Sequence, residues 1–129
     1  QSDELLARIR LPRLWPDLTH YYRKVGTRKA QAISKVCVAA TARMNEGVID
    51  VIRIALGSVA PVPLRCLKTE DALRGELLTA NTIEKAKLEL AREIVPISDI
   101  RSTRNYRLKV SVNVLEDFLL KLASDWGAS

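Results

Sequence analysis

The sequence predicts an α+β domain: an antiparallel sheet of three or four strands, covered on one side by about three helices. Three observations carry this. The first half holds short runs rich in β-branched and aromatic residues, divided by turn signals at Gly26-Thr27 and Asn45-Glu46-Gly47. The links between those runs are short, which antiparallel hairpins allow and parallel crossovers do not. From Thr69 onward the apolar residues recur at helical spacing. A chain of 129 residues suits one domain with a modest core.

The elements follow in order. Leu5 to Leu11 alternates Ala7, Ile9 and Leu11 with Arg8 and Arg10, a strand pattern that Pro12 stops. It reads as the tail of an upstream domain, and Pro12 to Pro16, with Trp15, reads as a connector. Leu18 to Val25 suits a strand, Arg28 to Gln31 a loop or bulge, and Ile33 to Met44 a second strand. Asn45-Glu46-Gly47 signals a hairpin turn into a third strand, Val48 to Val59. Ala55, Gly57, Ser58 and Ala60 are small, as residues in a crowded layer must be. Pro61-Val62-Pro63 ends the sheet.

Leu64 to Leu67 leads into a helix over Thr69 to Leu78, with Gly75 as its weak point. Asn81-Thr82-Ile83-Glu84 has the form of a capping box, and Ile83, Ala86, Leu90 and Ile94 follow at helical spacing. Ser98 to Thr103 is a polar lead into the last helix. There Tyr106, Val110, Val114, Phe118, Leu122 and Trp126 lie four apart, with Leu108, Val112, Leu115 and Leu119 beside them. Gly127 closes it.

Charge is unevenly distributed. The chain is net +6, and Leu18 to Asn45 holds six cations (Arg23, Lys24, Arg28, Lys29, Lys35, Arg43) and no acid. The other fifteen cations are matched by fifteen acids. A local basic patch carrying a glycine suggests contact with an anionic or electron-rich group; the plain alternative is a solvated basic hairpin. No apolar run reaches the roughly 18 residues a membrane helix needs. The polar, acidic start lacks the pattern of a signal peptide. Cys37 and Cys66 have no CxxC spacing, and His20 is the one histidine, so a zinc site would lack ligands. Two reduced thiols in the cytoplasm are expected. No Walker loop, GxGxxG or nucleophile motif is present, so the chain by itself does not read as an enzyme.

Four blocks carry a resemblance. They are Glu4-Leu5-Leu6 to Ile9-Arg10-Leu11-Pro12; Arg23 to Val36 around Gly26-Thr27; Ile52 to Pro61; and Asp99-Ile100-Arg101-Ser102-Thr103 with Tyr106-Arg107. Together and in this order they resemble the C-terminal domain of the FAD-binding (medium) subunit of molybdenum hydroxylases, the xanthine dehydrogenase and carbon monoxide dehydrogenase flavoproteins. The resemblance implies that residues 1–16 are the tail of the upstream FAD-binding domain and a connector, and that 17–129 form the flavoprotein C-terminal domain. It implies FAD in the intact subunit, gripped by glycine-rich loops that this chain does not contain, so the chain alone is expected to hold little or no flavin. It implies a molybdenum cofactor and [2Fe–2S] clusters in partner chains, with electrons passing through FAD to NAD or oxygen. Residue by residue, Leu6 matches a position where an apolar side chain lies near the flavin ring. Lys24 matches one where a lysine approaches the ring's polar edge, and Arg28 is a further candidate for flavin contact or for anchoring the loop. Arg53 and Arg101 are read as structural, Arg101 tied to Asp99 or to helix carbonyls; Tyr106 and Arg107 are read as pinning the last helix.

Two other functions compete with a flavin-capping, subunit-docking domain. One is a pure assembly domain without flavin contact. The other is a single-strand nucleic-acid module, suggested by Tyr21 and Tyr22 in the basic hairpin. Against it, aromatic residues are only 5% of the chain, the cations alternate with apolar residues, and no RNP-type motif is present. No nucleic acid and no membrane are expected among the partners.

Overall fold

The computed structural model describes residues 3–10, 17–28 and 33–127. Four strands, β1 (Thr19–Val25), β2 (Val36–Asn45), β3 (Val48–Gly57) and β4 (Leu64–Arg65), pair antiparallel in the order β1-β2-β3-β4. Three helices follow: α1 (Leu67–Leu73), α2 (Ala80–Glu93) and α3 (Arg104–Gly127). They cover one face of the sheet, α3 against β2 and β1 and α1 against β3. The α+β architecture expected from the sequence is the one found.

The β2–β3 hairpin explains itself locally. Asn45 pairs with Val48, so Glu46 and Gly47 form a two-residue turn, with φ of 51° and 78°. Two positive φ values give a turn whose twist matches that of the flanking strands. Further along, the register shifts between Arg43 and Met44, leaving Asp50 as an extra residue on β3. This bulge lets both Ile49 and Ile52 point inward, three positions apart, where strict alternation would send one to the other face. Arg43 holds the Asp50 carboxylate at 2.8 Å through Nε and 2.5 Å through Nη2.

Inward residues Val36, Val38, Ala40 and Ala42 of β2 and Ile49, Ile52, Ile54 and Leu56 of β3 form the sheet side of the core. Leu73, Ile83, Ala86, Leu90, Leu115, Phe118, Leu119 and Leu122 form the helix side. Phe118 packs against Tyr21, ring centroids 5.2 Å apart, and the Tyr21 hydroxyl donates to Asp117 at 2.6 Å. Burial, and then this bond, pushes the Tyr21 phenol up to about 12.

Several local expectations are corrected. Residues 4–10 form no strand, and Leu5, Leu6 and Ile9 are exposed, because no described strand lies beside them. Strand β2 begins at Val36; Ile33 is exposed ahead of it. The first helix starts at Leu67 and stops at Leu73. Gly75, with φ of 80°, turns the chain back along β3: its N–H bonds Ile49 O at 2.8 Å, Ile49 N–H bonds Glu76 O at 3.0 Å, and Val48 bridges Leu77. What was expected as the end of a helix is thus a cover for the sheet edge. The cap of α2 is Thr79, not Asn81: Thr79 Oγ1 accepts from Thr82 N–H at 3.2 Å, while Glu84 reaches Lys87 instead. On α3 the buried stripe runs through Arg107, Ser111, Val114, Leu115, Phe118, Leu119 and Leu122, so Tyr106 and Trp126 lie outside it. The expected connector at Pro12 to Pro16 and the loop at Lys29 to Gln31 lie outside the described residues.

Two acids complete the layer without any signal in the periodicity. Glu70, fully buried in α1, accepts from Ile54 N–H at 2.8 Å and from Arg65 at 2.5 and 2.8 Å. Glu93, at the end of α2, caps the start of α1 by accepting from Lys68 N–H, Thr69 N–H and the Thr69 hydroxyl. Both cysteines are free.

Glu70→Ala leaves the buried Ile54 N–H without a partner, so urea denaturation is expected to show a loss of about 2–3 kcal/mol. Burial, with Glu93 and Glu70 nearby, pushes the Cys66 thiol up to about 12 from 9.0. The folded state keeps that proton while the unfolded chain loses it. Cys66 therefore favours folding fully below about pH 9, and this contribution falls as pH rises toward 12. With a thiol reagent at pH 8, half-exposed Cys37 should react promptly and Cys66 only as fast as the fold opens.

Candidate functional site

Strand alternation puts a second set of side chains on the face the helices leave open. The register aligns Lys24 with Cys37 and Cys37 with Gly57; Tyr22 with Ala39 and Ala39 with Ala55; His20 with Thr41 and Thr41 with Arg53. The middle of this face is a floor of small residues: Cys37, Ala39, Ala55 and Gly57. Tyr22 and Lys24 border it on edge strand β1, and both are exposed. A hydrogen bond with the Cys37 thiol holds the Tyr22 phenol above its ordinary value. Lys24 makes no ion pair among the described residues.

Lys24 also stands at one end of the sheet, where β1 finishes, β2 starts and β3 finishes. Gly26 breaks β1 there, and Arg28 follows, exposed, in the bend. Of the sequence-predicted residues, the fold therefore gathers Lys24 and Arg28 at one end, and Leu6 lies exposed in the irregular segment 4–10.

The same end receives the start of α3. Arg107, 4% exposed, donates through Nη1 to the carbonyl of Ser58 and through Nη2 to Asp99 at 2.7 Å. Ser58 takes a left-handed φ of 67° just beyond β3. Asp99 Oδ1 also accepts from Arg101 N–H at 2.8 Å and Ser102 N–H at 3.1 Å. The Arg101 N–H bond first, then the Arg107 guanidinium and the Ser102 N–H, hold the Asp99 carboxyl below its usual value. Lys35 Nζ sits 5.0 Å from the centre of the Tyr106 ring, joining β2's start to α3. The buried polar side-chain atoms without a hydrogen-bond partner among the described residues, Ser34 Oγ and Arg107 Nε, are at this end too.

Arg107 pins the last helix, as expected. Arg101 meets Asp99 through its backbone N–H, and the side chain that pairs with Asp99 is that of Arg107. Sequence reasoning missed this pairing because the two residues flank a helix start, where apolar periodicity carries no information.

The sequence profile of the family described as CO dehydrogenase flavoprotein C-terminal domain matches residues 20–122. The chain belongs to this family. It is 28% identical over 111 residues to the putative xanthine dehydrogenase FAD-binding subunit of Escherichia coli (strain K12), covering 84% of this chain and 37% of that one. Among solved structures, carbon monoxide dehydrogenase from Hydrogenophaga pseudoflava, in a form lacking the Mo-pyranopterin moiety of its molybdenum cofactor, superposes with a TM-score of 0.76. The identity is 26%, over 83% of this chain and 37% of that one. Quinoline 2-oxidoreductase from Pseudomonas putida 86 superposes with a TM-score of 0.74 at 27% identity, over 85% of this chain and 38% of that one. The chain thus spans between a third and two fifths of the length of these relatives.

In this flavoprotein C-terminal domain, three of the four sequence blocks meet at one place. The Lys35–Tyr106 contact joins the second block to the fourth, and the Arg107–Ser58 bond joins the fourth to the third. Blocks far apart in sequence build one end of the sheet.

The lowered Asp99 value gives a pH prediction. Its contribution to stability is present above the ordinary 3.8 and is lost as pH falls through the lower folded value. Asp99→Asn should therefore be less stable than the parent chain at neutral pH, with the gap closing in acid. Thermal unfolding followed across pH 2 to 7 checks this.

Proposed function

We propose that this domain covers one side of the flavin in a molybdenum hydroxylase and helps dock the FAD subunit to its iron–sulfur and molybdenum partners. One observation carries the reading: Lys24 is an exposed cation without an ion pair among the described residues, at the border of a flat floor of small residues on the helix-free side of the sheet. The relatives' own FAD-binding role supports it. FAD, when bound, supplies the redox chemistry. The chain's contribution is position and charge. A lysine at the N1/O2 or N5/O4 edge of the ring favours the reduced, more negative state and so raises the potential. Leu6 would supply apolar cover near the ring, and Arg28 a second cation or an anchor for the loop after Gly26.

Exposure of Leu5, Leu6 and Ile9 supports reading residues 1–16 as the tail of the upstream FAD-binding domain, since a neighbour is needed to cover them. In this reading the grip on the FAD pyrophosphate belongs to that upstream domain, and the chain alone holds little or no flavin. Electrons arrive from molybdenum through [2Fe–2S] clusters and leave for NAD or oxygen, in the cytoplasm.

Flavin titration tests the proposal, first with this chain, then with the upstream domain, then with both. Quenching of flavin fluorescence should be far stronger in the mixture than with the upstream domain alone. Lys24→Ala in the assembled subunit should move the flavin potential to more negative values. An unchanged spectrum and potential would leave pure assembly as the better reading.

A further inference from the structure

The small residues on the helix-free face have no explanation inside the domain. Alanine and glycine are poor strand residues, and an exposed strand position favours a β-branched or larger side chain. Yet Cys37, Ala39, Ala55 and Gly57 fill two adjacent rows of the two central strands, Ala39 exposed and the other three half-exposed. Gly57 is the clearest case. Its φ lies outside the left-handed region, and a methyl group added there would meet Cys37 Cβ at 3.5 Å and Cys37 O at 3.9 Å, which is ordinary contact. Neither the backbone nor the packing asks for a glycine. A glycine inside a strand under those conditions marks a place where another group comes close.

The chemistry of this floor says what fits it. It is two strands wide and two rows deep, about 5 Å by 7 Å between Cα positions. Its one side-chain heteroatom is the Cys37 sulfur. Lys24 stands across from Cys37 on β1, and the Tyr22 hydroxyl bonds the thiol. Arg65, in the row of Tyr22, Ala39 and Ala55, is tied to buried Glu70 at 2.5 Å. The two rows carry no acid. Lys24, without an ion pair among the described residues, is therefore the charge left to meet whatever lies on the floor. A flat group with an apolar face and an electron-rich edge fits such a surface.

We infer that the flavin ring lies flat on this floor, with the Cys37 sulfur against its face and Lys24 at its edge. The inference rests on the proposed capping reading and adds the residues that touch the ring. Cys37 makes the contact, and Ala39, Ala55 and Gly57 give the clearance that lets a planar group approach the sheet. Sulfur is polarisable and makes favourable contact with aromatic rings. The bond from Tyr22 holds the thiol in place on the floor.

The test uses the whole FAD subunit, this chain joined to its flavin-binding region. It is prepared free of flavin, loaded with FAD, and loaded with ADP, which fills the pyrophosphate grip but carries no ring. Cys37 is labelled with methyl methanethiosulfonate at pH 8 and followed by peptide mass spectrometry. Its rate should fall at least about tenfold with FAD and keep the flavin-free value with ADP, while buried Cys66 stays slow in every form. Ala39→Leu changes an exposed position, so circular dichroism and ADP affinity should be unaltered while FAD affinity falls about tenfold. Equal Cys37 rates with and without FAD, in a subunit that quenches its flavin, overturn the ring contact and leave the capping reading standing. Shielding by ADP as well as FAD, or in all forms, also overturns it, since a neighbouring protein surface would then lie on the floor. Quenching no stronger with this chain than with the upstream domain alone removes the capping reading, and this inference with it.

Discussion

A buried carboxylate closes the sheet. Strand β3 is long, and among the described residues its one strand neighbour on the outer side, β4, is two residues. Ile54 must therefore satisfy its N–H elsewhere, and Glu70 supplies the acceptor from within α1, held in turn by Arg65. The bond does two jobs: it ends the sheet without an open edge, and it fixes α1 against β3. Further along the same edge, the chain after Gly75 takes over with backbone bonds to Ile49. Edge strands left open invite pairing with other chains, and this one is covered along much of its length.

The same device recurs. Glu93 caps α1 from the far end of α2, and Asp99 gathers backbone N–H groups and Arg107 at the start of α3. Each acid is spent on internal donors. Glu70 and Asp99 also pair with Arg65 and Arg107, while exposed Lys68, Arg101 and Arg104 make no ion pair among the described residues, so part of the net charge of +6 is expressed at the surface. The chain's basicity there is a by-product of how its acids hold the fold, and that basicity is available for recognition.

The antiparallel topology explains why one end of the domain concentrates these features. With three long strands in meander order, the ends of β1 and β3 and the start of β2 necessarily coincide. The segments gathered there, the Gly26 bend, the Ser58 link and the lead into α3, are irregular. A rigid sheet thus presents several loops side by side, the usual arrangement for a binding surface.

Much of this was legible in the sequence where the physics is local. The Asn45-Glu46-Gly47 turn, strands on either side of it, and the stripe Ile83, Ala86, Leu90 each depend on neighbours within a few residues, and each was found close to where it was expected. Lys24 could be singled out because a basic run beside a glycine is visible in one dimension. Tertiary contacts decided the rest. Alternation predicted a strand near Ile9, but a strand needs a partner, and no described strand lies beside that segment. A plausible capping box at Asn81 lost to Thr79, whose partner Thr82 is also tied to Leu77 O. Buried Glu70 had no signature at all, and Arg107 was singled out only through the family resemblance, since charged residues are excluded from a core unless a specific donor or acceptor waits there. The sequence determined the periods, the turns and the charge; the tertiary structure decided which charges were used internally, because pairing over long separations depends on distances that only the folded chain sets.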